Sequence, residues 1–214
     1  MCASLAEEAE AIGWYEQRIA GAESAVNPTR RAATGAYGGR MDTGKLVLRL
    51  VVGGLFMGHG LQKLKGWFGG PGIEGTEQMM ESTDMHPPKA NAYAVALTET
   101  AGGAAIAAGA ATPFASAGLI ATMLTAIEKV HWKKGFWNSK GGWEFNGTLI
   151  ATLFALSADG PGTLSIDAAV GKRRWGIGWG VLALAAGAAG AYGVVKLGER
   201  GVGGSENSAD QRDG

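Results

Sequence analysis

Six residues in this chain could do chemistry: Arg49, His59, Lys63, Glu99, Glu128 and His131. Each lies inside or at the end of an apolar run, where an ionisable side chain needs a physical reason. Glu99 is the plainest case. It interrupts the stretch from Ala90 to Ala111, and an ionised carboxylate in hydrocarbon is costly unless it is paired or faces a polar interior. His59 and Lys63 share an earlier run and are four apart, so they lie on one helix face. Arg49 and Lys63 are fourteen apart, about four helical turns, which again brings them to roughly the same side. Snorkelling toward head groups is the bland account of Lys63; it fits Arg49 less well, because Arg49 lies several residues inside.

Glu128 and His131 form a Glu-x-x-His pair, the unit that two-metal helical bundles use twice. One pair alone does not make such a site, and no metal ligands are assigned. Two readings stand beside it. Glu99 and Glu128 could neutralise Arg49 and Lys63 in a structural ion-pair network. Alternatively, His59 and His131 could ligate haem. His86, in "DMHPPKAN", reads as a loop residue.

The elements that must position these residues are five apolar spans: about Thr43–Leu64, Ala90–Ala111, Pro113–His131, Phe145–Ala158 and Trp175–Val195. A bilayer crossing takes about 20 residues, so the fourth is short. The fifth, "WGIGWGVLALAAGAAGAYGVV", has no charge. Trp67, Trp132, Trp137, Trp143, Trp175 and Trp179 cluster at span ends, as an interfacial belt would. Small residues mark expected packing faces: Glu99, Gly103, Ala107 and Ala111 in the second span, Ala183, Gly187 and Ala191 in the fifth, and a GxxxG pair, Gly54 and Gly58, in the first. Glu99 on a small-residue stripe belongs at a helix interface rather than toward lipid. The loop "KGWFGGPGIEGTEQMM" cannot continue a helix through Gly-Gly-Pro-Gly, and Ile73–Ser82 reads as a short interfacial helix, a lid or a plain connector.

The bulk numbers narrow the class. The 214 residues, 46% of them apolar and 37 of them Gly, carry a net charge of zero, so nothing points to nucleic acid. The single cysteine, Cys2, leaves no intramolecular disulfide or CxxC pair, so redox chemistry would need a bound cofactor. The first 40 residues lack the apolar core of a secretory signal. Leu5–Ala25 suits a weak amphipathic helix broken at Asn27-Pro28, Thr34–Arg40 suits a Gly-rich linker, and Met41 is an alternative start. The expected fold is all-α: a polytopic transmembrane helix bundle with a polar, largely disordered extension at 1–42, a four-helix core at 43–168, an additional C-terminal span at 169–197 and a disordered polar tail at 198–214. Basic residues before the first span and at Lys172–Arg174 favour a multi-pass cell-membrane protein with its N-terminus inside and its C-terminus outside.

Several motifs in order resemble the DoxX family of membrane proteins: "RLVVGGLFMGHGLQKL" followed by "GWFGGPG", "ETAGGAAIAAGAATPFASAGL", "EKVHWKKGFW", "GGWEFN" and "DGPGTLSIDA". The resemblance covers about Met41 to Ala168, and it implies a four-helix membrane bundle. Arg49, His59, Lys63, Glu99, Glu128, Glu144 and Asp167 match the family's polar pattern. The polar extension and the fifth span depart from it.

Some members resemble the membrane subunit of thiosulfate:quinone oxidoreductase. On that reading Glu99 or His59 relays protons as the catalytic group, and Arg49 or Lys63 binds a carbonyl oxygen of a quinone, with Glu128 and His131 completing the cofactor-binding set. The lipid bilayer is one partner, a soluble redox or sulfur-transfer protein is a second, and a homo-oligomer is left open. The alternative is a non-catalytic anchor or scaffold that gathers such soluble proteins through the basic stretches at Lys133–Lys140 and Lys172–Arg174. A small-molecule carrier ranks last, because no inverted repeat supports it.

Overall fold

The computed structural model describes Arg18, residues 42–172 and residues 174–210. Apart from Arg18, the expected N-terminal helix, its break, the linker and the alternative start at Met41 lie outside the described residues, as do Arg173 and residues 211–214.

Every regular element among the described residues is helical. The order is α1 (Asp42–Lys65), α2 (Gly72–Ser82), α3 (Pro88–Ala108), α4 (Thr112–Ala126), α5 (Glu144–Asp159), α6 (Ile166–Ala169) and α7 (Ile177–Asp210). Their limits are set by local chemistry. Pro88 opens α3, where its missing N–H costs nothing, and Gly109 closes it at φ 64. Pro113 sits in the first turn of α4 for the same reason. α4 does not stop at Ala126 but widens into a π-helical turn, Ile127–His131, before the connection to α5. α7 runs longer than the span outlined by hydropathy, to Asp210.

α1, α3, α4, α5 and α7 alternate in direction. Gly53 packs against Gly103 and Ala107, and Gly60 against Ala96 and Thr100, so α1 and α3 are antiparallel. Asn146, near the start of α5, donates to Met123 Sδ near the end of α4. Gly187 of α7 rests on Ala117 and Ile120, and Gly180 rests on Phe154 and Ala158, which sets α7 antiparallel to α5. The core between them is apolar: Phe56, Ile106, Leu119, Ile120 and Leu153 are each at most 1% exposed. One end of the bundle thus holds the start of α1, the α3–α4 corner, α6 and the start of α7. The other holds the end of α1, α2 and the α4–α5 connection.

By length and composition, α1 and α7 (Ile177–Gly198) can each cross a membrane, and only 28% of the most apolar 18-residue stretch of each is buried. Val47, Leu50 and Val51 on α1 and Val181, Leu182 and Leu197 on α7 are more than half exposed. Faces of this kind are costly in water and suited to lipid. The middle helices are less uniform. α5 has 16 residues, short of a full crossing; α4 with its π turn runs unbroken over Thr112–His131; and α3 is diluted by Lys89, Asn91, Glu99 and its threonines.

The packing stripes come out as expected in α7, where Ala183, Gly187 and Ala191 are all buried. In α3 the stripe holds for Glu99, Gly103 and Ala107 but loses Ala111, which lies past the helix end at φ 45. The GxxxG pair does not pack: a Cβ at Gly54 or Gly58 would meet nothing within 4 Å. Gly53 and Gly60 take that role instead.

Candidate functional site

The close approach of α1 to α3 starts at Gly60, where a Cβ would stand 2.5 Å from the Thr100 nitrogen and 2.8 Å from the Ala96 oxygen. Only glycine allows it. One turn further along α1, Lys63 reaches across and its Nζ lies 2.5 Å from Glu99 Oε2. The Glu99 side chain is 4% exposed and that of Lys63 is 19% exposed. The pair therefore balances a carboxylate deep in the helix interface with a cation that still touches the outside. α2 covers this end of α1: Thr76, fully buried, donates to Lys63 O and Gly72 O, while Met80, Met85 and Ala92 form a small apolar cluster. α2 is a packed connector rather than a free lid.

Arg49 stands four turns earlier on α1 and faces a different set of partners. It is 1% exposed and donates from Nη2 to Leu164 O at 2.6 Å. The α3–α4 corner folds over it. A Cβ at Gly109 would collide with the guanidinium, and φ 64 independently favours glycine there. Asp167 ties the corner down. Its Oδ1 accepts from Ala111 N at 2.9 Å, its Oδ2 accepts from Thr112 N at 3.0 Å and from Thr112 Oγ1 at 2.7 Å, and its own N–H donates to Gly109 O at 2.9 Å. A carboxylate bonded to the first N–H groups of α4 also complements the helix dipole. Ser165 caps α6 and so holds Asp167 in place.

The other expected site residues do not join Glu99. His59 is exposed, with Nδ1 3.1 Å from Gln62 Oε1, and lines a shallow outer groove on α1 with Gly54, Leu55, Gly58 and Phe68. Glu128 is exposed on the π turn, which changes the register that an α-helix would have given Glu128 and His131. His131 Nδ1 lies 2.7 Å from Gly141 O and pins the α4–α5 connection. His59 and His131 therefore have separate neighbourhoods. Among the described residues, no group of three or more His, Cys, Asp or Glu side chains could hold a metal ion. The ion-pair network reduces, among the described residues, to one pair, Lys63 with Glu99.

Asp167 is legible in the sequence as part of a family pattern but not as a site residue. Its contacts with Thr112 span 55 positions of chain, and no local periodicity carries that information.

Comparison with known proteins adds to this geometry. The family model described as DoxX matches residues 44–132, which include Arg49, His59, Lys63, Glu99, Glu128 and His131. A protein of Bacillus subtilis (strain 168) named "Putative oxidoreductase CatD" is similar to the chain, 33% identical over 133 residues, covering 62% of this chain and 91% of that relative. No solved structure matches.

Proposed function

Since the chain belongs to the DoxX family, we propose that it is a multi-pass cell-membrane protein serving as the membrane subunit of a quinone-linked oxidoreductase of the thiosulfate:quinone type. The observation that carries this reading is the Lys63–Glu99 pair: two exchangeable charges joined at 2.5 Å between α1 and α3, one sealed and one partly open. The name of the Bacillus subtilis relative supports an oxidoreductase reading.

The pair fits a quinone carbonyl. An ammonium has three donor protons, and Lys63 uses one toward Glu99, leaving donors for an acceptor oxygen. A quinone bound there would be the two-electron acceptor, and its reduction would draw two protons from the aqueous side. Lys63 would orient the carbonyl oxygen, and the Glu99 carboxylate, its ion-pair partner, would hand those protons on. Electrons come from a soluble redox or sulfur-transfer partner. His59 lines the outer groove of α1, apart from the pair.

The test is mass spectrometry of small molecules retained by the protein in native-lipid nanodiscs, wild type beside Glu99→Gln. The expected result is stoichiometric quinone in the wild type and its loss in the variant. Quinone in neither would leave the pair as a strut between α1 and α3, and the protein as a non-catalytic anchor for soluble proteins.

A further inference from the structure

We propose that the α4–α5 connection, residues 127–143, is a headgroup clamp for acidic phospholipids. This site is separate from the Lys63–Glu99 pair and does not depend on the redox reading.

The segment "IEKVHWKKGFWNSKGGW" interleaves lysines with large aromatics. In the structure it folds back on itself. Trp143 N donates to Gly135 O at 3.2 Å, Glu144 N to Phe136 O at 2.9 Å, and Gly142 N to Trp137 O at 3.0 Å. Trp132 stacks on Trp143 at 6.4 Å, and Phe136 meets Trp137 and Trp143 edge-on at 5.0 and 4.9 Å. Despite these contacts, Trp132 is 65% and Trp137 61% exposed. An ordered connection that leaves two indoles outside, where two apolar helices end, matches the chemistry of the bilayer interface.

Charge decides what kind of surface it faces. Lys129, Lys133, Lys134 and Lys140 stand against Glu128 and Glu144. Glu144 is already engaged, its Oε1 accepting from Asn138 N at 2.9 Å. Among the described residues, none of the four lysines makes an ion pair. The opposite end of the bundle shows what a self-satisfied lysine looks like: Lys172 lies 4.6 Å from the Trp175 ring and 4.2 Å from the Trp179 ring. Among the described residues, the lysines of the connection have no such internal partner. Their complement is an acidic headgroup, for which each lysine near the surface contributes about fivefold in affinity. An acidic soluble protein would satisfy the charges but would not account for indoles exposed at the level where α4 and α5 end.

The experiment uses the full chain in detergent, titrated with POPG or POPC and read by native mass spectrometry. Wild type is compared with the fourfold variant K129Q/K133Q/K134Q/K140Q. Glutamine keeps much of each stem, including that of Lys134, which lies against Gly141. The expected result is POPG retained over POPC at least tenfold by wild type, the preference falling at 0.5 M salt and lost in the variant. The salt arm needs no variant and stands even if the variant folds poorly. Equal retention of POPG and POPC by wild type overturns the proposal. So does a variant that keeps the POPG preference, or one whose only loss is a co-purifying soluble protein.

Discussion

Arg49 and Lys63 are two cations on one helix, about 21 Å apart along its axis, and both are drawn into the protein. Arg49 is sealed, its guanidinium bonded to a backbone carbonyl under a corner held by Asp167. Lys63 is bonded to a carboxylate that can itself gain or lose a proton, and its side chain keeps 19% exposure. The bonded partner of Arg49 is a backbone carbonyl, which has no second protonation state, and the Nε and Nη1 of Arg49 are buried without a hydrogen-bond partner among the described residues. The Lys63–Glu99 pair joins two titratable groups, one of them partly exposed, as exchange with a ligand requires. Buried charge alone therefore does not mark a reactive site; the nature of the partner and the remaining access do.

Four variants put this contrast at risk. The largest effect is expected at the Arg49 end. Asp167→Ala removes the acceptor for Ala111 N, Thr112 N and Thr112 Oγ1 together, and each buried donor left unsatisfied costs about 1 to 3 kcal/mol. A thermal melt in nanodiscs should show a large drop, with quinone retention per folded molecule preserved; an unchanged melting temperature would mean that the corner is not held by this carboxylate.

At the Lys63 end, Glu99→Gln keeps size and an acceptor but leaves a lysine without its counter-charge, for about 1 to 3 kcal/mol. The double variant Lys63→Met, Glu99→Leu should regain most of that stability, because an apolar pair can replace a buried ion pair, while quinone retention stays lost. Recovery of both would make the pair a structural strut. The smallest effect is expected from Glu128→Gln. Its side chain is exposed on the π turn, so both the melting temperature and quinone retention should match wild type. A loss of quinone there would return Glu128 to the site.

Much of the architecture is legible in the chain. The helical spans, the small-residue stripes of α3 and α7, and the need for a counter-charge to Glu99 follow from composition and from the 3.6-residue period. The stripe in α1 does not. Gly53 and Gly60 pack while Gly54 and Gly58 face outward, and neighbouring residues differ by about 100° around a helix. A sequence containing both sets cannot say which one meets a neighbour. Glu128 leaves the expected network because α4 opens into a π turn after Ala126, which shifts every side chain beyond it.

The all-α class, the apolar spans, the family and the presence of charges inside the apolar runs are all written in the order of the residues. They depend on side chains close along the chain, where spacing and hydropathy act directly. Which charges meet is a property of the assembled bundle. Lys63 with Glu99, and Asp167 with the corner over Arg49, are contacts between distant segments, set by each helix's rotation and depth. Those quantities emerge only when all the packing faces are satisfied together, and no local pattern encodes them.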